Sequence, residues 1–312
     1  LRLFLLGKRA SVTHWLEDAA AAFAAEHHAV AVGLVRRPWL AAGIETSLVS
    51  PIAASLRRRI ARFGPDLILA LGAFHVPDEI LEAVASLPGR PPIVGWVGDA
   101  FGVEDHGLAA RYDAIGYADS GLLARHQAEG FASRAVFLPH AANPAGAWPM
   151  SASRASRMVF VANPTPERRR WVATITEPVV LHGPGWGRRD GAHHDIHARR
   201  VPPRALRGIY GVHLAALNIR NERNVLRGLN QRNFDPLLAG AALLTDDQPD
   251  LERCFDPGTE VLVWRDAESL NDQHRRLLAD PTAAARLARR GRRRVLADHT
   301  YARRLETIIG LL

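Results

Sequence analysis

The chain has 312 residues, 47% of them hydrophobic and 23% charged. That is an ordinary soluble composition, which excludes a disordered, collagen-like or disulfide-framework chain. At roughly 100–200 residues per domain, the length predicts two domains. The net charge is +8, and 39 of the 40 basic residues are arginine, Lys8 being the exception. Residues 1–150 carry 13 basic and 14 acidic residues, and residues 151–312 carry 27 and 18. A neutral half joined to a basic half suits a second domain that holds an anion. Part of the excess, Arg286–Arg294, is a helical run expected to face solvent, and no aromatic residues interleave there to stack bases. No nucleic-acid partner is therefore expected. The longest apolar runs, such as Leu67–Leu71 and Leu237–Leu244, are far too short to span a bilayer. No N-terminal segment reads as a signal peptide, and the lone Cys254 points to a reducing cytoplasm.

In chain order, Leu1–Leu6 is an apolar run that ends at Gly7. An Ala-rich helix follows over about Thr13–Glu26, and Ala29–Val35 is a second apolar run. Ile52–Phe63 has helical spacing with arginine on its outer face. Asp66–Leu71 reads as a buried strand, Pro77–Ser86 as a helix and Ile93–Val97 as a strand. Ala114–Tyr117, Gly121–Glu129 and Ala135–Leu138 repeat strand, helix, strand. Such alternation predicts a parallel sheet covered on both faces.

Asn143–Arg157, with Pro144 and Pro149, reads as a linker. The alternation then restarts. Met158–Val161, Val179–Leu181, Ala215–Asn218, Ala242–Thr245 and Glu260–Val263 read as strands. Pro166–Thr174, Pro203–Tyr210, Phe234–Ala239 and Leu251–Cys254 read as helices, with further helices from Leu270 and Thr282 and a closing one over Tyr301–Leu312. His193–His197 reads as a surface loop, because its spacing matches no zinc motif.

Open α/β sheets bind ligands at the carboxyl ends of their strands. In the second half those ends are polar: Asn163 with Arg168, then Gly183, Gly185 and Trp186, then Asn218 and Arg220. Glycine lets a backbone approach a phosphate, and arginine offers it a fork; both types also serve ordinary turns. The densest stretch runs from Asn230 to Asp246. Asp235 opens its apolar helix, either to favour the helix dipole or to accept hydrogen bonds from two ribose hydroxyls.

Several pieces, taken in order, resemble the CgeB (spore-maturation) type of glycosyltransferase. They are Val159-Phe160-Val161-Ala162-Asn163 with Arg168, His182-Gly183-Pro184-Gly185-Trp186, Leu217-Asn218-Ile219, and Arg232-Asn233-Phe234-Asp235 with Gly240 and Thr245-Asp246. Phe255-Asp256-Pro257-Gly258-Thr259-Glu260 and His299-Thr300-Tyr301 with Arg303 and Arg304 complete them. Trp96-Val97-Gly98-Asp99 and Leu138-Pro139-His140-Ala141-Ala142 resemble the family's first domain. The likeness covers most of residues 66–312. The family usually has glutamate where Asp235 stands and glycine where Ala162 stands.

The resemblance implies the GT-B fold: two Rossmann-like α/β domains facing across a cleft, with a C-terminal helix crossing back to the first. The domains would be 1–145 and 155–296, with 297–312 as the returning helix. It further implies transfer of a sugar from a nucleotide-diphosphate donor to an acceptor hydroxyl, with no bound metal or cofactor. Asp235 would hold the ribose. Asn163, Arg168 and Arg232 would meet the diphosphate, with Gly183, Gly185 and Trp186 near the nucleotide. Asn218, Arg220, Asn233 and Phe234 would complete that side. His14 or Asp99 would take the acceptor proton, and His75 and His140 follow strands nearby. A glycan, a lipid-linked glycan or a protein would each serve as acceptor, and the oligomeric state stays open. The rival readings are a non-catalytic nucleotide- or sugar-binding protein, a nucleic-acid partner and an epimerase on the same fold.

Overall fold

The computed structural model describes residues 1–8, 15–35, 45–100, 111–130, 134–146 and 154–312. The chain forms two compact units. One comprises Leu1–Pro139 together with Tyr301–Leu312, and the other His140–Thr300.

The first unit is a six-stranded sheet in the order β2-β1-β3-β4-β5-β6. Its strands are β1 (Arg2–Gly7), β2 (Ala29–Leu34), β3 (Leu67–Leu71), β4 (Ile93–Val97), β5 (Ala114–Tyr117) and β6 (Arg134–Phe137). Every pairing is parallel. β3, β4 and β5 are buried at every residue, as expected of central strands covered on both faces. Helices α1 (Trp15–Ala25), α2 (Glu45–Phe63), α3 (Asp78–Ala85) and α4 (Ser120–Ala128) connect them. The sequence places the start of α2 after Pro51, but the helix runs through that proline.

α11 (Tyr301–Ile309) belongs to this unit. Tyr301, Leu305 and Ile308 share one buried stripe at helical spacing. The Tyr301 ring meets Phe23 and Trp96 edge-on, each at 6.0 Å. Arg304 Nε donates to the Pro139 carbonyl at 2.7 Å.

The second unit is again six-stranded and wholly parallel, in the order β12-β11-β10-β7-β8-β9. Its strands are β7 (Ala155–Val161), β8 (Val179–His182), β9 (Asp195–His197), β10 (His213–Asn218), β11 (Ala242–Asp246) and β12 (Leu262–Trp264). Helices α5 (Pro166–Ala173), α6 (Pro203–Val212), α7 (Asp235–Leu238), α8 (Leu251–Cys254), α9 (Ala267–Ala279) and α10 (Pro281–Asp298) follow in turn.

Two readings change. β7 begins at Ala155, inside the stretch read as a linker. β9 replaces the expected loop at His193–His197: Val180, Leu181 and His182 of β8 pair with Asp195, Ile196 and His197. The exposed edge of β8 offers unpaired backbone groups, and a three-residue strand satisfies them without any apolar run of its own.

Candidate active site

In both sheets the strand order reverses once, between β1 and β3 and between β7 and β10. Doubly wound sheets take ligands at the carboxyl end beside such a reversal, in the crevice between the loops that leave the two strands.

In the second unit this crevice begins at the β7–α5 turn. Thr165 caps α5, its Oγ1 accepting from the Arg168 backbone N–H at 3.2 Å, and Pro166 opens the helix. Arg168 is buried. Its Nε donates to the Ile219 carbonyl at 3.1 Å and its Nη1 to the Asn163 carbonyl at 3.0 Å. The side chain thus ties the loop after β7 to the loop after β10. Burial, reinforced by the nearby Arg232 charge, lowers its pKa to about 9. Asn163 itself is exposed.

At the end of β10 lies a buried polar network. Asn218 Nδ2 donates to Thr245 Oγ1 at 3.1 Å and to Asn233 Oδ1 at 3.2 Å. Its Oδ1 accepts from Arg232 Nε at 3.2 Å and Asn230 Nδ2 at 3.3 Å. Asn233 Nδ2 closes the ring on Thr245 Oγ1 at 3.0 Å. Asn218 and Asn233 have no exposed surface, so their amides are committed to these partners. They orient Arg232 and the turn around it.

Asp246, at the end of β11, accepts from Gln248 Nε2 at 2.9 Å and from the Arg220 backbone N–H at 3.3 Å. The Arg220 Nε lies 3.6 Å from its other oxygen. Burial raises the Asp246 carboxyl to about 6, although Arg220 pulls it down. Arg168, Arg220 and Arg232 therefore all lie in the loops and turns at this end of the sheet.

Asp235 sits at the first position of α7, and Gln231 Nε2 donates to its Oδ1 at 2.7 Å and to the Ala141 carbonyl at 2.8 Å. Phe234 points into the core instead, its ring 5.3 Å from His299 and 5.5 Å from Phe255. It fixes the backbone between Asn233 and Asp235.

The loop after β8 is set by glycine and tryptophan. Gly183 adopts φ +143°, and a Cβ there would stand 2.2 Å from the Ala162 carbonyl oxygen. Trp186 is buried against Phe160, and its Nε1 donates to that same carbonyl at 2.6 Å. The indole braces the β7 and β8 loops from below and presents no face on which a base could stack. Gly185 is exposed, and its carbonyl accepts from Arg169 Nη2 at 2.7 Å; Arg169 also pairs with the buried Asp190.

Asn163 and Arg168 thus meet directly, as do Asn218, Arg232 and Asn233. Gly183 and Trp186 meet at Ala162, and Arg220 joins through Asp246. Sequence reasoning did not single out Gln231, Asp246 or Gln248 as site residues. Only the Thr245-Asp246 motif at a strand end hinted at one of them.

In the first unit, a cavity of about 100 Å³ lies at the ends of β1, β3 and β4, lined by Lys8, Trp15, Gly72, Phe74, His75 and Asp99 among others. Gly72, at φ +75°, opens the short turn Ala73–His75, whose first carbonyl accepts from the buried Tyr112 hydroxyl at 2.9 Å. Asp99 is exposed at the mouth. His14 lies outside the described residues. His140 is buried. The His193 and His194 rings bond backbone groups, and no group of three or more metal-ligating side chains occurs among the described residues. No helix among the described residues is long and apolar enough to cross a membrane.

Residues 166–310 match the model of a family described as glycosyl transferase-like. No curated protein sequence matches the chain. The whole chain is similar in structure to sucrose-phosphate synthase of Thermosynechococcus elongatus, with TM-score 0.70, 13% identity and coverage of 100% of this chain and 98% of that one. It is similar to an α,α-trehalose-phosphate synthase (UDP-forming) of Burkholderia xenovorans solved with glucose-6-phosphate, with TM-score 0.70, 11% identity and 99% of each chain covered. Anabaena HepE, solved with UDP, aligns with TM-score 0.67 at 11% identity, again over 99% of each chain. These likenesses establish the fold. It is GT-B, built from two Rossmann-like units with the last helix returned to the first.

Proposed function

We propose that the chain is a glycosyltransferase that moves a sugar from a nucleotide-diphosphate donor to an acceptor hydroxyl, in the manner of the CgeB type and without a bound metal. The observation that carries this reading is the convergence of Arg168, Arg220 and Arg232 at the β7/β10 reversal point. It lies within the stretch that matches the glycosyl transferase-like model.

The second unit takes the donor. Guanidinium groups and the first turn of α5 stabilise the departing diphosphate, replacing the charge of a metal ion. Asp235, held by Gln231, accepts from the ribose hydroxyls. Trp186 and Gly183 act by shaping the loop rather than by touching the base. The first unit takes the acceptor at the β1/β3/β4 cavity, where Asp99 receives the proton of the attacking hydroxyl, His14 being the alternative base. Cys254 is buried and forms no disulfide, in keeping with work in the reducing cytoplasm.

The test is calorimetric and thermal-shift binding against a panel of uridine, guanosine, adenosine and thymidine diphosphate sugars. It is followed by assay of donor hydrolysis and transfer. One member at one hundred times its dissociation constant should add about 2.7 kcal/mol of stability. Binding with neither hydrolysis nor transfer to any glycan, lipid-linked or protein acceptor would make the chain a binding protein. No binding across the panel would overturn the donor reading.

A further inference from the structure

Asp246 ends β11 and is buried. Three nitrogen donors converge on its Oδ1: Gln248 Nε2 at 2.9 Å, the Arg220 backbone N–H at 3.3 Å and Asn218 Nδ2 at 3.5 Å. Gln248 and Asn218 are themselves buried, and both amides also donate to Thr245 Oγ1, at 3.2 and 3.1 Å. A carboxylate held from several sides does not rotate, so Oδ2 is fixed along with Oδ1. Oδ2 stands 3.6 Å from Arg220 Nε.

Arg220 is held a second time, because its Nη1 donates to the Asp247 carbonyl at 3.1 Å. Asp247 is itself paired with Arg265 at 2.8 Å. The Nη2 of Arg220 makes no bond among the described residues, and 27% of the side chain is exposed. Arg168 differs: it is buried, with Nε and Nη1 committed to the carbonyls of Ile219 and Asn163. Arg168 joins loops, whereas Arg220 keeps a donor for a ligand. A long side chain already immobilised at Nε and Nη1 loses little further entropy when an anion arrives. By its own charge, however, a carboxylate near a diphosphate repels it. Asp246 favours binding only through the arginine it holds.

We infer, on the reading that the second unit takes the donor, that Asp246 is a positioning residue, which fixes Arg220 with its Nη2 left to meet the diphosphate. The buried amides of Asn218 and Gln248 and the Thr245 hydroxyl fix Asp246 in turn. A polar network with no exposed surface of its own thereby sets the one side chain that reaches the ligand.

The experiment measures dissociation constants by calorimetry for UDP-glucose, GDP-mannose, ADP-glucose, dTDP-glucose and inorganic pyrophosphate. It uses wild type, Asp246→Asn, Arg220→Met and the double variant at about pH 7.5, where the Asp246 carboxyl, raised by burial to about 6, is ionised. Asp246→Asn is expected to bind about tenfold more weakly, although it has lost a negative charge. In the Arg220→Met background the same substitution is expected to weaken binding no further. A merely repulsive Asp246 gives the opposite sign, so unchanged or tighter binding by Asp246→Asn overturns the inference. A penalty that persists undiminished without Arg220 also overturns it, since Asp246 then acts through the fold. Both outcomes leave the donor reading intact. If neither the nucleotide sugars nor pyrophosphate bind wild type, the donor reading and the inference fall together.

Should Asp246→Asn fail to fold, wild type and Arg220→Met are compared with the nucleotide sugars as the pH falls from about 7.5 to about 5. The diphosphate diester does not titrate there. Arg168 and Glu167 on α5, and Glu222 beside Glu167, also carry charge near Asp246 and are common to both proteins. Wild-type binding is expected to weaken through the titration of Asp246, and that step is expected to be missing from Arg220→Met. Identical profiles overturn the inference.

Discussion

Arg168 reaches from the third position of α5 to the far side of the crevice, where its Nε donates to the Ile219 carbonyl 3.1 Å away. One buried side chain thereby joins the two loops at the strand-order reversal. Replacing it with methionine keeps the volume and removes both carbonyl partners. Hydrogen bonds to a charged group contribute about 1.5–3 kcal/mol each, and two are lost, so Arg168→Met should destabilise the second unit by about 3 kcal/mol or more. Urea unfolding followed by Trp fluorescence measures it. A change within experimental error would show that the two loops hold without this tie.

Gly183 and Gly187 flank the same tryptophan but answer to different constraints. At Gly183 the backbone is left-handed and a Cβ would meet the Ala162 carbonyl; at Gly187 nothing lies within 4 Å and φ is −162°. Gly183→Ala should lower the melting temperature by several degrees and weaken donor binding with it, as a strain of about 1–3 kcal/mol predicts. Gly187→Ala should leave both unchanged. Equal behaviour of the two variants would contradict the loop geometry.

Asp235 and Asp99 are assigned to different steps, so their variants should separate kinetically. Asp235→Ala should raise the donor dissociation constant about tenfold, the loss of a charged hydrogen bond. Asp99→Asn should leave donor affinity alone and reduce turnover about a hundredfold if it takes the acceptor proton. Near-wild-type turnover of Asp99→Asn would move that role to His14, testable in the same assay with His14→Ala.

His274 of α9 has no exposed surface, and neither ring nitrogen has a hydrogen-bond partner among the described residues. Burial lowers its pKa to about 4. A histidine held neutral in the fold contributes stability that is present above pH 6.5 and is lost as pH falls from there towards about 4, because the unfolded chain binds the proton first. His182, also pushed to about 4 by burial and by His197, adds to the same acid sensitivity. His274→Leu should therefore raise stability at neutral pH, by about 1 kcal/mol, and flatten the decline between pH 6.5 and 4. Melting curves across that range decide it; an unchanged slope would mean that His274 does not govern the acid limb.

Much of this was legible because strand and helix patterns are local. Ile93–Val97 and Ala114–Tyr117 form strands with the boundaries their apolar runs predict, and Leu251–Cys254 is the short helix expected there. Where the sequence reading failed, the cause lay elsewhere in the chain. β9 has one apolar residue in three and exists because β8 has an edge to pair. α2 passes through Pro51, a residue that a local reading takes as a boundary. Trp186, which the family resemblance puts near the nucleotide, is buried and bonds the Ala162 carbonyl, an arrangement that no local pattern in the loop announces.

The alternation of strands and helices, hence two parallel sheets, and the polar residues at strand ends are written in the order of residues. Both follow from periodicity and burial along a single dimension. Which loops meet depends on how the strands assemble. The reversal of strand order between β7 and β10 sets Arg168 against Ile219 and Asn218 against Asn233. No local pattern encodes those neighbours, because each is made by strands that come from distant parts of the chain and share nothing but the crevice between them.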